Sequence, residues 1–247
     1  MATAIIICSV VLGVIALFFA GLYVVYRIAF YSPDKTQNNF FNFPVGEQYT
    51  APRKRMFELT EELLSYEYET VEIKSFDGLT LTGCYYHYAD GAPLDIAFHG
   101  YRGTLIRDMC GSADIARKKG HNFLTVSQRA HMGSEGHTIS FGIKERLDCL
   151  KWIDYAVKRF DRDVRICLCG VSMGAATVLM ASEFDLPKNV YGIIADCPYD
   201  SPENIIKKVM KKDMKISPTL FYPFLLLAAR IYGKFSLSSA SAVNAVK

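Results

Sequence analysis

The pentapeptide Gly170-Val171-Ser172-Met173-Gly174 has a composition and spacing that can do chemistry. Gly-x-Ser-x-Gly sets a serine on a tight strand-to-helix turn, where its Oγ stands exposed above a sheet. A hydroxyl is a poor nucleophile at neutral pH, so such a serine works with a histidine base that a carboxylate orients. Where strand, turn and helix frame the serine in this way, the chain order is Ser, then Asp or Glu, then His. The five histidines are His87, His99, His121, His131 and His137, and all of them precede Ser172. The nucleophile is present, but its base is not in the expected place.

The elements that must position Ser172 are legible on either side of it. Upstream, Val164 to Cys169 is a short β-branched and apolar run that reads as a buried strand. Downstream, Ala175 to Glu183 is rich in Ala, Leu and Met and reads as a helix. Glycines at both ends of the turn permit a sharp reversal and close helix–strand packing. A second hydrophobic strand, Leu94 to Phe98, runs into His99-Gly100-Tyr101-Arg102-Gly103. A serine on such a turn that attacks a carbonyl needs N–H groups to hold the oxyanion, one from such a loop and one from the residue after the serine, which here are Tyr101 and Met173. His99 reads as a structural residue of that loop. A third loop, Ser127 to Gly136, follows the strand Asn122 to Val126 and reads as polar and hydrogen-bonded.

Together, His99-Gly100-Tyr101, Arg129-Ala130-His131 with Ser134-Glu135-Gly136, Gly170 to Gly174, and Ala195-Asp196-Cys197-Pro198 resemble the α/β-hydrolase superfamily. The likeness is to bacterial membrane-anchored members related to serine aminopeptidases and acyl esterases, and covers about residues 65 to 247. Met132 stands where the family loop usually has Gly, and Ser127 where it often has Asp. The resemblance implies a doubly wound, mostly parallel α/β sheet and a serine hydrolase cleaving an ester or amide through an acyl-enzyme, with no cofactor and no metal. It also implies a triad acid after a seventh strand and a histidine after an eighth.

Only six strands are countable: Val71–Ser75, Thr80–His87, Leu94–Phe98, Asn122–Val126, Val164–Cys169 and Val190–Ala195. Ser236 to Lys247 resembles the lead-in to a seventh, so the expectation is a chain truncated before strands seven and eight. The sixth strand would then be an exposed apolar sheet edge. Asp196 is a candidate triad acid, or a loop-fixing aspartate. Asp185 and Asp200 read better as a helix-end and an N-cap residue. His131 or His137 could supply a base only in an unorthodox order. The competing reading is a catalytically inactive pseudo-hydrolase that binds a ligand or partner.

Thr3 to Tyr26 contains no charged residue over 24 positions. At 1.5 Å per residue it extends roughly 36 Å, enough to cross a bilayer of about 30 Å. It lacks the basic start and the cleavage site of a secretory signal. Tyr23, Tyr26, Tyr31 and the cluster Phe40, Phe41, Phe43 suit an interfacial belt. Arg27, Lys35 and Arg53-Lys54-Arg55 follow the segment and none precedes it, which places the following domain in the cytoplasm by the positive-inside rule. Seven cysteines without metal-type spacing suit a reducing compartment. Cys167 and Cys169 share one strand face and read as core packing.

The expected organisation is a membrane anchor (1–27), a linker with a lead-in helix over Arg53 to Leu64 (28–65), and the α/β domain (66–247). Pro33, Pro44 and Pro52 interrupt the linker. A cap-like helical segment (199–235) holds a lysine-rich helix, Glu203 to Lys215, followed by the apolar stretch from Leu220 to Tyr232. That stretch is either a lid favouring a hydrophobic acyl group or a packing helix of the core. Lys207, Lys208, Lys211, Lys212 and Lys215 form a basic face, solvated or drawn to an anionic membrane surface. A net charge of +3 is too small to imply a nucleic-acid partner.

Overall fold

The computed structural model describes residues 1–32, 40–43, 45–160 and 162–246. Pro33, Lys35, Pro44 and Lys247 lie outside the described residues. Helix α1 (Ala2–Ala29) leads to α2 (Arg53–Ser65), and strands β1 (Glu69–Lys74), β2 (Thr80–Tyr86) and β3 (Leu94–Phe98) follow. Then come α3 (Cys110–Lys119), β4 (Asn122–Val126), α4 (Glu145–Phe160), β5 (Ile166–Val171), α5 (Met173–Ala181) and β6 (Val190–Asp196). The chain closes through α6 (Pro202–Lys212), α7 (Pro218–Ala228) with a π turn at Ala229–Gly233, and α8 (Ala242–Ala245).

The six strands form one sheet in the order β1-β2-β4-β3-β5-β6. β1 and β2 are antiparallel to their neighbours, and β4, β3, β5 and β6 run parallel. β3 and β4 are buried at every position, which explains why they are mostly apolar: helices cover both faces of a parallel sheet, and the three polar residues, Asp95, Asn122 and Thr125, are each hydrogen-bonded. One face packs on α4 and α5, with Trp152, Ile153 and Val178 against Ile96, Leu124 and Leu168. The other packs on α2 and α3, with Leu63, Met109 and Ala113 against Ala97, Phe123, Cys167 and Cys169. The two cysteines read as core packing are therefore in the core, and all seven thiols are free.

All six predicted strands are present. The fifth starts at Ile166 instead of Val164 and runs on through Val171, and the helix after Ser172 opens at once, at Met173. β6 is the edge of the sheet, with Tyr191 and Ile194 exposed. Residues 236–246 contain turns and the short α8, and Leu237, Ala240 and Ala242 pack beside Ala176 and Met180 of α5. That same cluster takes in Tyr26 and Phe30 from the end of α1, Ile206 and Met210 of α6, and Tyr222 and Leu225 of α7.

The strand order reverses direction at β3: the chain passes from β3 outward to β4 on one side and later to β5 on the other. Loops diverging at such a switch leave a crevice at the carboxyl ends of the strands. Both the Ser172 turn and the His99 loop open there.

Candidate active site

Ser172 sits at the junction of β5 and α5 with φ 53° and ψ −110°, a region that residues bearing a Cβ rarely occupy. The surroundings hold it there. Its N–H donates to the Asp196 carbonyl at 2.9 Å, and its own carbonyl accepts from Ala176 N at 3.0 Å. The flanking glycines are steric requirements. A Cβ on Gly170 would stand 2.5 Å from Ala175 N and closer still to the Gly174 carbonyl. One on Gly174 would collide with the carbonyl of Phe98 and stand 2.7 Å from that of His99. Helix α5 can thus lie directly against the end of β3 only because no side chain intervenes. Ser172 remains half-buried, and among the described residues its Oγ has no hydrogen-bond partner.

The loop after β3 reaches the same point. A Cβ on Gly100 would lie 3.6 Å from the Ser172 Cβ. Gly100 N–H donates to Asp108 Oδ2 at 3.1 Å, and Arg107 Nε holds the other carboxylate oxygen at 2.7 Å. The N–H groups of Tyr101 and Met173 have no hydrogen-bond acceptor among the described residues. Two unclaimed donors therefore belong to the loop and the turn that border the serine.

The histidines are spent elsewhere. His99 is fully buried: Nδ1–H donates to the Gly100 carbonyl (2.8 Å), which fixes the tautomer, and Nε2 accepts the Gln128 N–H (3.1 Å). His131 likewise donates from Nδ1 to the Arg129 carbonyl (2.9 Å) and accepts the Arg102 N–H at Nε2 (3.1 Å). The two rings meet edge to face at 4.5 Å. Burial lowers His99 to about 4. Burial, with the His99 ring beside it, lowers His131 to about 3. Both are neutral at physiological pH, with no lone pair left to take a proton. His137 faces the Ser32 carbonyl, His121 pairs with Asp95 and His87 with Asp90. His99 is thus the structural residue expected from the sequence, and none of the five is hydrogen-bonded to Ser172.

The Ser127–Gly136 loop is closed on itself. Ser127 Oγ donates to the Met132 carbonyl, Ser134 Oγ to the Ser127 carbonyl (2.6 Å), and Ala130 N–H to the Glu135 carbonyl (3.0 Å). Met132 and Ser127, the two departures from the family pattern, are accommodated within these bonds. Arg129, 2% exposed, makes paired bonds to Asp148 (2.6 and 2.8 Å) and to Asp77 (3.0 and 2.9 Å). Burial works against its charge, but the two carboxylates hold its pKa above the usual arginine value. Asp196 is placed beside Ser172 by its main chain, and its carboxylate is exposed and has no hydrogen-bond partner among the described residues. Among the described residues no group of three or more His, Cys, Asp or Glu side chains is gathered to hold a metal.

Sequence reasoning missed the anchorage of the loop after β3. Tyr101 Oη donates to the Ala29 carbonyl (2.9 Å), and Arg102 reaches the carbonyls of Ile28 (3.0 Å) and Tyr31 (3.2 Å). Those of Ile28 and Ala29 are carbonyls that the end of α1 cannot satisfy within the helix. The Tyr101 ring also stacks on Phe141 at 4.9 Å. No local signal marks a contact between residues more than seventy positions apart.

No protein-family model and no curated protein matches this sequence. Solved structures do match. An esterase of Pyrococcus furiosus, Pf2001, superposes with a TM-score of 0.57 at 26% identity over 71% of this chain and 66% of that one. A second crystal form of it gives 0.55 at 27% identity. The hydrolase GrgF from Penicillium sp. sh18 gives 0.54 at 20% identity, over 68% of this chain and 56% of its own. The chain spans no more than 66% of the length of these proteins. The six-stranded sheet, its helical layers and these neighbours agree: this chain has the α/β-hydrolase fold.

Proposed function

We propose that this protein is a serine hydrolase acting on an ester or amide bond, with Ser172 as the nucleophile. The observation that carries the reading is a strained, partly accessible serine whose Oγ is unclaimed, bordered by two main-chain N–H groups without acceptors. In this reading Oγ attacks the substrate carbonyl carbon, and the N–H groups of Tyr101 and Met173 hold the oxyanion. Collapse expels the alcohol or amine, which takes up, by way of solvent water, the proton that Oγ gives up, and leaves an acyl-serine that water hydrolyses to the acid and free Ser172. The Oγ proton does not go to His99 or His131, whose acceptor nitrogens are occupied. Asp196 acts in this reading through its main-chain carbonyl, which holds the Ser172 N–H.

The two locked histidines also favour a second reading, a binding protein built on this fold. One experiment separates them: treatment of the full chain in lipid vesicles with a fluorophosphonate. Covalent labelling that disappears in Ser172→Ala supports the nucleophile. A folded wild-type protein that takes no label supports the binding reading.

We further infer that α1 is a retained, single membrane span with the α/β domain on the cytoplasmic side, where Arg27 and Arg53 to Arg55 lie. Its first part is bare, with Leu12 and Leu17 exposed, whereas Leu22 and Tyr26 near its end are buried against the domain. A cleaved segment would not be built into the core. Resistance of the membrane-bound protein to alkaline extraction is the expected result.

A further inference from the structure

We propose that helix α7 is a second membrane element, lying in the bilayer interface beside α1 and fixing how the domain sits on the membrane. The inference rests on the reading of α1 as a span and goes beyond it. Helix α7 is apolar all round. Tyr222, Leu225 and Ala228 are buried against the domain. Leu220, Phe221, Phe224, Leu227 and Ile231 form the opposite stripe and are exposed, from 37% to 61%. A helix or patch of this kind needs a second apolar neighbour.

The contacts with α1 identify that neighbour. Phe224 packs edge to face on Phe18 (6.4 Å), Tyr232 on Tyr23 (5.3 Å), and Tyr232 Oη donates to the Phe19 carbonyl (2.9 Å). Tyr23, which is exposed, lies beside Arg27, whose guanidinium also lies 3.8 Å from the Tyr31 ring centroid. Aromatic side chains with an adjacent arginine mark the level of the headgroups. Phe18 lies five residues further along the span, roughly 7.5 Å deeper at 1.5 Å per residue. Whatever touches Phe18 is therefore below the surface that Tyr23 marks. That depth falls within the 5–10 Å to which interfacial helices bury.

Charge agrees with this placement. Helix α6, immediately before α7 in the chain, carries Lys208, Lys211 and Lys212, with Lys215 just beyond it. All four are exposed and have no acidic partner among the described residues. Lys207 lies over the Tyr222 ring of α7 at 4.6 Å. A basic helix flanking an apolar one fits a bilayer containing anionic lipid. The occupant of the exposed stripe is thus the lipid that already surrounds α1, and the Ser172 end of the domain is held at that surface.

The test uses the full chain in vesicles of phosphatidylcholine and phosphatidylglycerol in equal parts. The two exposed thiols, Cys8 and Cys197, are first replaced by serine. A bimane fluorophore is then attached at Val10→Cys in α1, at Phe221→Cys or Leu227→Cys in α7, or at Ile115→Cys in α3. We expect the labels at 221 and 227 to lose fluorescence to a phospholipid carrying an acyl-chain nitroxide, as at 10, and to be protected from aqueous iodide. The label at 115 should behave in the reverse way. Quenching at 221 and 227 by iodide, or by neither agent, with 10 still in lipid, overturns the proposal and leaves the span reading standing. Iodide access at position 10 overturns both.

Discussion

Placing a methyl group on Gly174 is a sharp perturbation of the site. Helix α5 starts hard against the end of β3, and a Cβ at this position would meet the carbonyl of Phe98 and, at 2.7 Å, that of His99. These are main-chain atoms, so no side chain can swing aside. Restoring ordinary contact requires α5 and β3 to part by on the order of 1 Å, inside an interior packed as tightly as a crystal. Overpacking of a core typically costs 1–3 kcal/mol. The rigidity of both partners puts Gly174→Ala at the upper end, about 3 kcal/mol, against a total of about 5–15 kcal/mol for a typical domain. Gly192→Ala is the matched control. It lies on β6, has nothing within 4 Å of the added methyl group and is not in the left-handed region. There the lower entropy of the unfolded chain should leave stability unchanged or raise it by up to about 1 kcal/mol. The assay is urea unfolding of the full chain in detergent micelles, followed by Trp152, the single tryptophan, which is 1% exposed. Opposite signs for the two alanines are expected. A Gly174→Ala protein within about 0.5 kcal/mol of wild type would refute the steric account of the turn.

Three other outcomes follow from the same geometry. His99 and His131 titrate near 4 and 3 when folded, against 6.5 when unfolded. The unfolded chain therefore binds the extra protons first: their contribution is intact above pH 6.5 and is lost as the pH falls toward the folded values. Each histidine contributes a slope of about 1.4 kcal/mol per pH unit, so both together should lower stability by on the order of 3 kcal/mol per unit between about pH 6 and 4. Urea midpoints that stay flat across that window would contradict the buried, neutral pair. Arg129→Leu strands Asp148, itself 3% exposed, and should cost about 3–5 kcal/mol; Arg129→Leu with Asp148→Leu should recover much of it, measured in the same unfolding assay. Asp196→Asn keeps the carbonyl that accepts the Ser172 N–H and should leave both stability and the rate of fluorophosphonate labelling within a few-fold of wild type; a loss near the ~10⁴-fold seen when a triad aspartate is neutralised would instead identify its carboxylate as the acid.

Much of this protein is local information, and that part was legible. Leu94–Phe98 and Asn122–Val126 are strands to the residue because a run buried on both faces is mostly apolar, with few polar residues to blur it. Ser172 and its two glycines announce a strand-to-helix turn because only that pattern fits α5 against β3. Helix α1 follows from an uncharged run, which needs no partner to be recognised. The strand boundaries at Val164 and Val171 were less legible, because both residues suit a strand and pairing with β6 decides where it ends.

What the sequence could not decide is which groups meet. His131 is a candidate for a base until Arg102, from another loop, takes its acceptor nitrogen, and Gln128 does the same to His99, the loop residue. Tyr101 and Arg102 bond to carbonyls of residues 72 and 74 positions away, at the end of α1. Helix α7 reads equally well as a lid or a core helix, and its contact with α1, Phe224 on Phe18, leaves no signal in either segment. Periodicity and propensity report how a segment faces water or apolar surroundings, a property of neighbouring residues. The pairing of one loop with another depends on the closure of the whole sheet, and only the tertiary structure carries that.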